Sequence, residues 1–226
     1  AAGITPRELW LNAGKQGFLG LNVPGAYGGG ATDDYHFAAI MAEEIGTTGV
    51  IGSANGITLH NDIVLPYFLG LANEEQRARF LPGMVTGEVI GALGITEPNT
   101  GSDVAGIRTT GLKKGGAFIV NGAKTFISNG INSDVVIVVC RTDPEKGHRG
   151  ISLLLVERGM KGFERGRNLN KLGMHAQDTA ELFFSDVEVP AENVLGEEGN
   201  GFVYLMTNLA QERLGIAVGA VAVADA

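Results

Sequence analysis

Three stretches of the chain carry residue types able to do chemistry. The first, Gly94-Ile95-Thr96-Glu97-Pro98-Asn99-Thr100-Gly101-Ser102-Asp103, leaves a strand and enters a loop rich in amides and hydroxyls. Such a loop can donate several hydrogen bonds to a planar heterocycle or a phosphate, although an ordinary turn has the same composition. The second, Lys124-Thr125-Phe126-Ile127-Ser128-Asn129-Gly130, sets an aromatic ring and a hydroxyl two residues apart, on one side of a strand. That pair suits a ligand ring needing one face covered and one edge atom hydrogen-bonded; a core Phe beside a turn Ser is the competing reading. The third is Glu212. The spacing Phe202, Leu205, Leu209, Glu212, Ile216 places its carboxylate on the apolar stripe of a helix. An ionised carboxylate is costly to bury unless it is paired or its pKa rises, and a raised pKa is what a general base needs near neutral pH. A salt bridge from another element, or a stripe ending at Leu209, would account for Glu212 equally well.

The elements that must position these groups follow from periodicity. Residues 1–90 read as helical. Pro6 after Thr5 marks a helix start, with Leu9, Trp10 and Ala13 on one face. Asp33 to Ile45 carries Phe37, Ile40, Met41 and Glu44 at helical spacing, and an apolar stretch from Ile51 to Leu71 is interrupted by Asn55, His60 and Asn61. Asn73 is expected to cap a short helix, Glu74 to Leu81, that Pro82-Gly83 ends. Residues 91–195 read as strands: Ala117 to Val120, Val135 to Cys140, Ile151 to Val156 and Ala180 to Phe184, with a hairpin predicted at Asn121-Gly122. There is no βαβ rhythm and no GxGxxG after a strand, so a Rossmann site is unsupported. Residues 196–226 return to helical period. The expected class is α+β and multidomain: an all-α N-terminal domain, an antiparallel β middle domain and a further helix. Both ends read as cuts in a longer protein.

Bulk properties narrow the function classes. With 226 residues, 44% of them hydrophobic, the chain can bury a sizeable core. A formal net charge of −8 argues against a nucleic-acid partner, while a local row of amides can still hold an anion. The single cysteine, Cys140, rules out an internal disulfide and, at the end of Val135-Val136-Ile137-Val138-Val139, reads as a buried strand residue. No apolar run reaches membrane-spanning length, no signal peptide is visible, and no metal site is expected.

Taken together, in this order and separation, the segments resemble the acyl-CoA dehydrogenase family over essentially the whole chain. Gly20-Leu21-Asn22-Val23-Pro24 with Tyr27-Gly28-Gly29 is similar to the family's N-terminal signature. Thr96-Glu97-Pro98 with Gly101-Ser102-Asp103 resembles its main flavin signature, and Lys124 to Gly130 its second flavin segment. Gly150-Ile151-Ser152, the run Ala176-Gln177-Asp178-Thr179-Ala180-Glu181-Leu182-Phe183-Phe184, and Gln211-Glu212-Arg213-Leu214 are most similar to the long-chain members.

The resemblance implies an FAD-dependent enzyme that desaturates acyl-CoA to trans-2-enoyl-CoA, in fatty-acid β-oxidation, and passes electrons to an electron-transfer flavoprotein. It implies a homotetramer or homodimer in which residues 196–226 open a C-terminal four-helix bundle. The flavin ring would lie between the β domain and the bundle. It assigns Leu93, Gly94, Ile95, Thr96, Gly101, Ser102, Phe126, Ile127 and Ser128 to the cofactor. Phe126 would stand against the ring and Ser128 on N5. Ser102, His148, Arg149, Val203, Ala210, Gln211 and Arg213 would meet the substrate, and Glu212 would be the base. Thr100 stands where the family has Gly or Ala, which would narrow the loop. The basic stretch Lys161, Arg165, Arg167, Lys171 reads as a solvated face first and a phosphate site second. Bacterial cytoplasm is the expected location, ahead of the mitochondrial matrix. The alternatives are a flavin oxidase or monooxygenase on the same fold, and a non-catalytic flavin-binding subunit. Acyl chain length is not legible.

Overall fold

The computed structural model describes residues 3–226. Helix α1 (Arg7–Lys15) follows Pro6 and buries Trp10 and Ala13. The Thr5 hydroxyl does not cap it; it donates to the Ala176 carbonyl at 3.0 Å, tying the chain's start to the β region. After α2 (His36–Thr48), the long apolar stretch runs as α3 (Ile51–Leu59), a π-helical turn (His60–Val64) and α4 (Leu65–Leu71). Its polar interruptions are anchors. His60 is fully buried, with Nε2 3.1 Å from the Met84 carbonyl and Nδ1 accepting from Gly91 N–H at 3.1 Å. The ring is therefore neutral, and burial pushes its pKa down to about 4. Asn61 accepts from Gly20 N–H and donates to the Phe18 carbonyl.

Asn73 caps α5 (Glu74–Thr86) in a reciprocal box with Gln76. The expected stop at Pro82-Gly83 does not occur. The helix continues to Thr86 and closes at Gly87, φ +80°. One proline removes one donor, and Met84 and Val85, the second and third residues beyond it, stay in the helix because both are buried in the core.

The β region comprises β1 (Gly91–Gly94), β2 (Thr110–Lys114), β3 (Ala117–Ser128), β4 (Val135–Arg141), β5 (Ile151–Glu157), β6 (Phe163–Asn168) and β7 (Thr179–Pro190). The sheet order is β1-β4-β2-β3-β7-β6, with β5 on β4. Pairing is mostly antiparallel, as expected, but β1 lies parallel to β4, from Gly91 opposite Val135 to Gly94 opposite Val138. Asn121-Gly122 is not a hairpin. β3 passes through it with a register shift against β7, and the two-residue turn is Gly115-Gly116, between paired Lys114 and Ala117. Gly122, at φ +146°, is a bulge: a Cβ there would stand 2.5 Å from Thr109 Oγ1.

β4 and β5 are covered on both faces, which explains their unbroken apolar runs. Val135, Ile137 and Val139 join Leu153, Leu155 and α4–α5 on one side. Val136, Val138 and Cys140 join Leu154, β3 and β7 on the other. The Cys140 thiol is buried, and its pKa is pushed up to about 12 by that burial.

The last helix, α6 (Gly201–Asp225), starts against β5 and then crosses α2. Its inward stripe departs from expectation beyond Glu212. Ile216 is 66% exposed, and the stripe continues through Gly215 to the buried Ala222. Small residues allow close approach: a Cβ on Gly46 of α2 would stand 3.0 Å from the Ala222 backbone. Among the described residues no helix is long and apolar enough to cross a membrane.

Candidate active site

The two flavin-like segments meet through main chain and one ion pair. Thr125 N–H donates to the Thr96 carbonyl at 2.8 Å. Glu97, nearly out of solvent, accepts from Arg108 N–H at 2.6 Å, Thr109 N–H at 2.9 Å and Lys124 Nζ at 2.8 Å. Lys124 Nζ also donates to the Ile95 carbonyl at 3.0 Å and is wholly buried. Burial by itself would raise the Glu97 pKa; Lys124 and the two amides outweigh it and hold the carboxyl below its ordinary value. The pair is charged and clamps the loop onto β3. Sequence reading did not assign this role to Glu97 or Lys124. The only signal was two opposite charges in otherwise apolar or glycine-rich segments, and nothing local says that they touch.

Within this frame the ligand-facing groups are free. β1 is an edge strand. In a parallel ladder alternate residues turn their polar groups to the same side. Gly91 sends its N–H to His60 and receives Asn129 Nδ2 on its carbonyl at 3.2 Å, so Leu93, two residues on, faces the same open edge. The Thr96 and Ser128 hydroxyls make no hydrogen bond among the described residues, and both side chains are half-buried. Phe126 is 67% exposed at φ +59°, in a bulge between Lys124 and Ile127. It is not a core residue. Left-handed backbone at a bulky residue is strained and persists where neighbours impose it. Here Asn129, itself at φ +61°, is buried and donates to the carbonyls of Gly56 and Gly91 while accepting from Gln177. An open amide edge, two free hydroxyls and a presented ring fit the flat, hydrogen-bonding ring of FAD.

Gly101 and Ser102 are exposed on the same loop. Thr100 does not narrow it: its side chain turns inward and donates to the Gly106 carbonyl at 3.1 Å. His148 and Arg149 lie exposed on the turn Pro144–Gly150. That turn meets the start of α6, where the His148 ring is 5.4 Å from the Phe202 ring. Glu212 is ten residues farther along, about 15 Å at helical rise. The basic stretch needs correcting. Arg165 is half-buried, donates to the carbonyls of Gly130 and Ser133, and has its pKa pushed down to about 10, mainly by burial. Lys171 donates to the Gln177 carbonyl and to Thr179 Oγ1. Both are structural ties; Lys161 and Arg167 are exposed.

Glu212 is half-buried on α6. Its Oε1 accepts from the hydroxyl of Tyr67 at 3.0 Å, and Tyr67 is completely buried. Burial raises the Glu212 pKa and the Tyr67 bond opposes the rise. No salt bridge reaches Glu212 among the described residues. No hydrogen bond joins Glu212 to either β loop among these residues. Val203, Ala210 and Arg213 are exposed. Gln211 is exposed too, and it borders a cavity of about 390 Å³ lined with Leu214, Tyr35, Asn61 and Asp62. Asp62, on the π turn, has its pKa pushed up to about 6 by burial. Sequence reading passed over both Asp62 and Tyr67.

Comparison with known proteins gives a consistent picture. Residues 1–88 match the acyl-CoA dehydrogenase N-terminal domain and residues 92–187 the acyl-CoA dehydrogenase middle domain. The chain is 52% identical over 226 residues to the mitochondrial long-chain specific acyl-CoA dehydrogenase of Sus scrofa, covering 99% of this chain and 52% of that protein. Its fold is similar to an acyl-CoA dehydrogenase from Geobacillus kaustophilus, with TM-score 0.93 and 53% identity over 97% of this chain and 58% of that one. Butyryl-CoA dehydrogenase from Megasphaera elsdenii matches with TM-score 0.93 and 36% identity, over 99% of this chain and 59% of that one. The chain thus spans about half the length of the curated relatives it matches.

Proposed function

Because the chain belongs to the acyl-CoA dehydrogenase family, we propose that the protein containing it is an FAD-dependent acyl-CoA dehydrogenase. It would form trans-2-enoyl-CoA from a saturated acyl-CoA and deliver electrons to an electron-transfer flavoprotein. The observation that carries this reading is Glu212, a half-buried carboxylate with a raised pKa, no cationic partner and one hydrogen-bond donor. Such a group holds a proton more readily than a solvated carboxylate does.

Glu212 removes the proton from the carbon beside the thioester carbonyl. FAD, when bound, supplies the acceptor for the hydride that leaves the next carbon. The open edge at Leu93 to Thr96, with Gly101 and Ser102, would hold its pyrimidine side and phosphate region. Phe126 would cover the ring, Ile127, whose side chain is buried in the sheet core, would meet it through main chain only, and Ser128 would bond N5. Ser102, His148 and Arg149 would hold the CoA arm, the last two at the start of α6. Val203, Ala210, Gln211 and Arg213 would line the path between that end and the base. We assign residues 1–90, 91–195 and 196–226 to the helical domain, the β domain and the start of a bundle. The long-chain subtype rests on the position of Glu212 and on the run around Gln177-Asp178. The assembly is proposed as a homotetramer or homodimer in a bacterial cytoplasm, the mitochondrial matrix being the other location that its relatives suggest.

The test is Glu212→Gln in the full-length, FAD-loaded protein. Flavin content should be retained, and bleaching of the flavin by acyl-CoA should slow by roughly 10²–10⁴-fold. Bleaching at the normal rate would place the base elsewhere. A panel of acyl-CoAs differing in length and branching, scored by the same bleaching, identifies the substrate.

A further inference from the structure

Tyr67 lies 145 residues before Glu212, and its hydroxyl is 3.0 Å from Glu212 Oε1. The phenol is completely buried on α4, and burial, reinforced by the nearby carboxylate, raises its own pKa far above the ordinary value. It therefore stays protonated and remains a hydrogen-bond donor at every working pH. The Asn208 side chain, one turn before Glu212 on α6, lies near the same phenol. The Tyr67–Glu212 hydrogen bond ties α4 to α6. Glu212 Oε2 has no hydrogen-bond partner among the described residues.

From this geometry we infer that Tyr67 is the positioning residue for Glu212: its hydroxyl holds Oε1 and turns Oε2 out to take the substrate proton. The inference rests on Glu212 being the base. Tyr67 does two things that a solvated carboxylate lacks. It fixes the carboxylate rotamer before substrate arrives, which removes an ordering cost from the reaction. It also stabilises the ionised form against burial.

The other elements packed against α6 present different groups. The π turn brings Asp62, and the segment before α2 brings Tyr35, to the Gln211 side of the helix. The Pro144–Gly150 turn brings His148 to Phe202. Burial and Tyr67 are the two influences acting on Glu212.

The experiment is the pH dependence of kcat/KM for acyl-CoA in the full-length holoenzyme. In Tyr67→Phe the acidic limb should move up by about one pH unit, so that the loss below the limb exceeds by about tenfold the loss above it, which comes from the freed rotamer. Incorporation of 3-fluorotyrosine at position 67 gives a more acidic donor in nearly the same volume, and should move the limb down. A loss equal at every pH, or no movement of the limb in either protein, overturns the inference. If Tyr67→Phe fails to fold, the fluorotyrosine enzyme decides alone. Glu212→Gln separates the premises. Normal bleaching in that variant overturns both the base and its positioning residue. Lost bleaching with an unmoved Tyr67→Phe limb overturns only the role of Tyr67.

Discussion

In the β region, Glu97 lies 2.8 Å from Lys124 Nζ and accepts two backbone amides as well. On α6, Glu212 has one neutral donor, Tyr67, and no cation among the described residues. Both carboxylates are drawn out of water, yet their pKa values move in opposite directions. Glu97 is held below its ordinary value and Glu212 above it. A carboxylate given a cation becomes a fixed strut, because protonating it would strand a buried ammonium. A carboxylate given only a phenol keeps its proton affinity adjustable. The first carboxylate holds two loops in register, and the second is suited to move a proton.

Substitutions should expose that difference. The largest effect is on rate: Glu212→Gln should lose roughly 10²–10⁴-fold in flavin bleaching with no loss of thermal stability, since it removes a charge that burial disfavours. A large drop in melting temperature would show Glu212 to be a strut as well. Lys124→Met should do the reverse. It leaves Glu97 buried without its cation and should cost about 3–5 kcal/mol in denaturant unfolding. An unchanged midpoint would mean that water replaces Lys124 and that the clamp is weak.

Two neighbours on the π turn repeat the contrast at smaller scale. His60 is held neutral, with its pKa lowered from 6.5 to about 4, so the unfolded chain binds more protons between those values. Its contribution is complete above pH 6.5 and is lost as pH falls toward 4, a change of about 3 kcal/mol. Asp62 shifts from 3.8 up to about 6, so here the folded chain binds more protons in that window. Stability falls as pH rises through it. Asp62→Asn should therefore stabilise the protein by about 3 kcal/mol above pH 6 and do nothing below pH 4. Equal effects at pH 4 and pH 7 would refute the assignment. The smallest effect is expected at Phe126, whose φ of +59° a glycine would adopt freely. Phe126→Gly should gain about 1 kcal/mol of fold stability while weakening flavin retention. A variant that loses stability would show that the ring, though 67% exposed, packs against something the fold needs.

Much of this molecule was legible before folding. The unbroken run Val135 to Cys140 marked a strand with Cys140 buried, and Asn73 marked a helix start, because each signal lies within a few residues. The hydroxyls, ring and carboxylate of the candidate site were picked out by type and spacing. Three readings failed for a shared reason. Asn121-Gly122 has hairpin chemistry, but pairing with β7 keeps β3 extended through it. Pro82 is a helix breaker, but the buried side chains after it carry α5 on to Thr86. Ile216 fits a helical stripe, but close packing against α2 selects the small residues beside it. In each case a local preference of about 1–3 kcal/mol was overridden by burial.

The sequence by itself determined the α+β class, and it offered two loops able to meet a planar heterocycle and a carboxylate at stripe spacing on the last helix. Those features follow from periodicity and from residue type, which act over one or two turns or a few strand positions. Only the tertiary structure decided what each charged group faces. Glu97 meets Lys124 across 27 residues, and Glu212 meets Tyr67 across 145. Partners at such separations are set by how the helices and sheet pack, and they determine which carboxylate is locked and which can carry a proton.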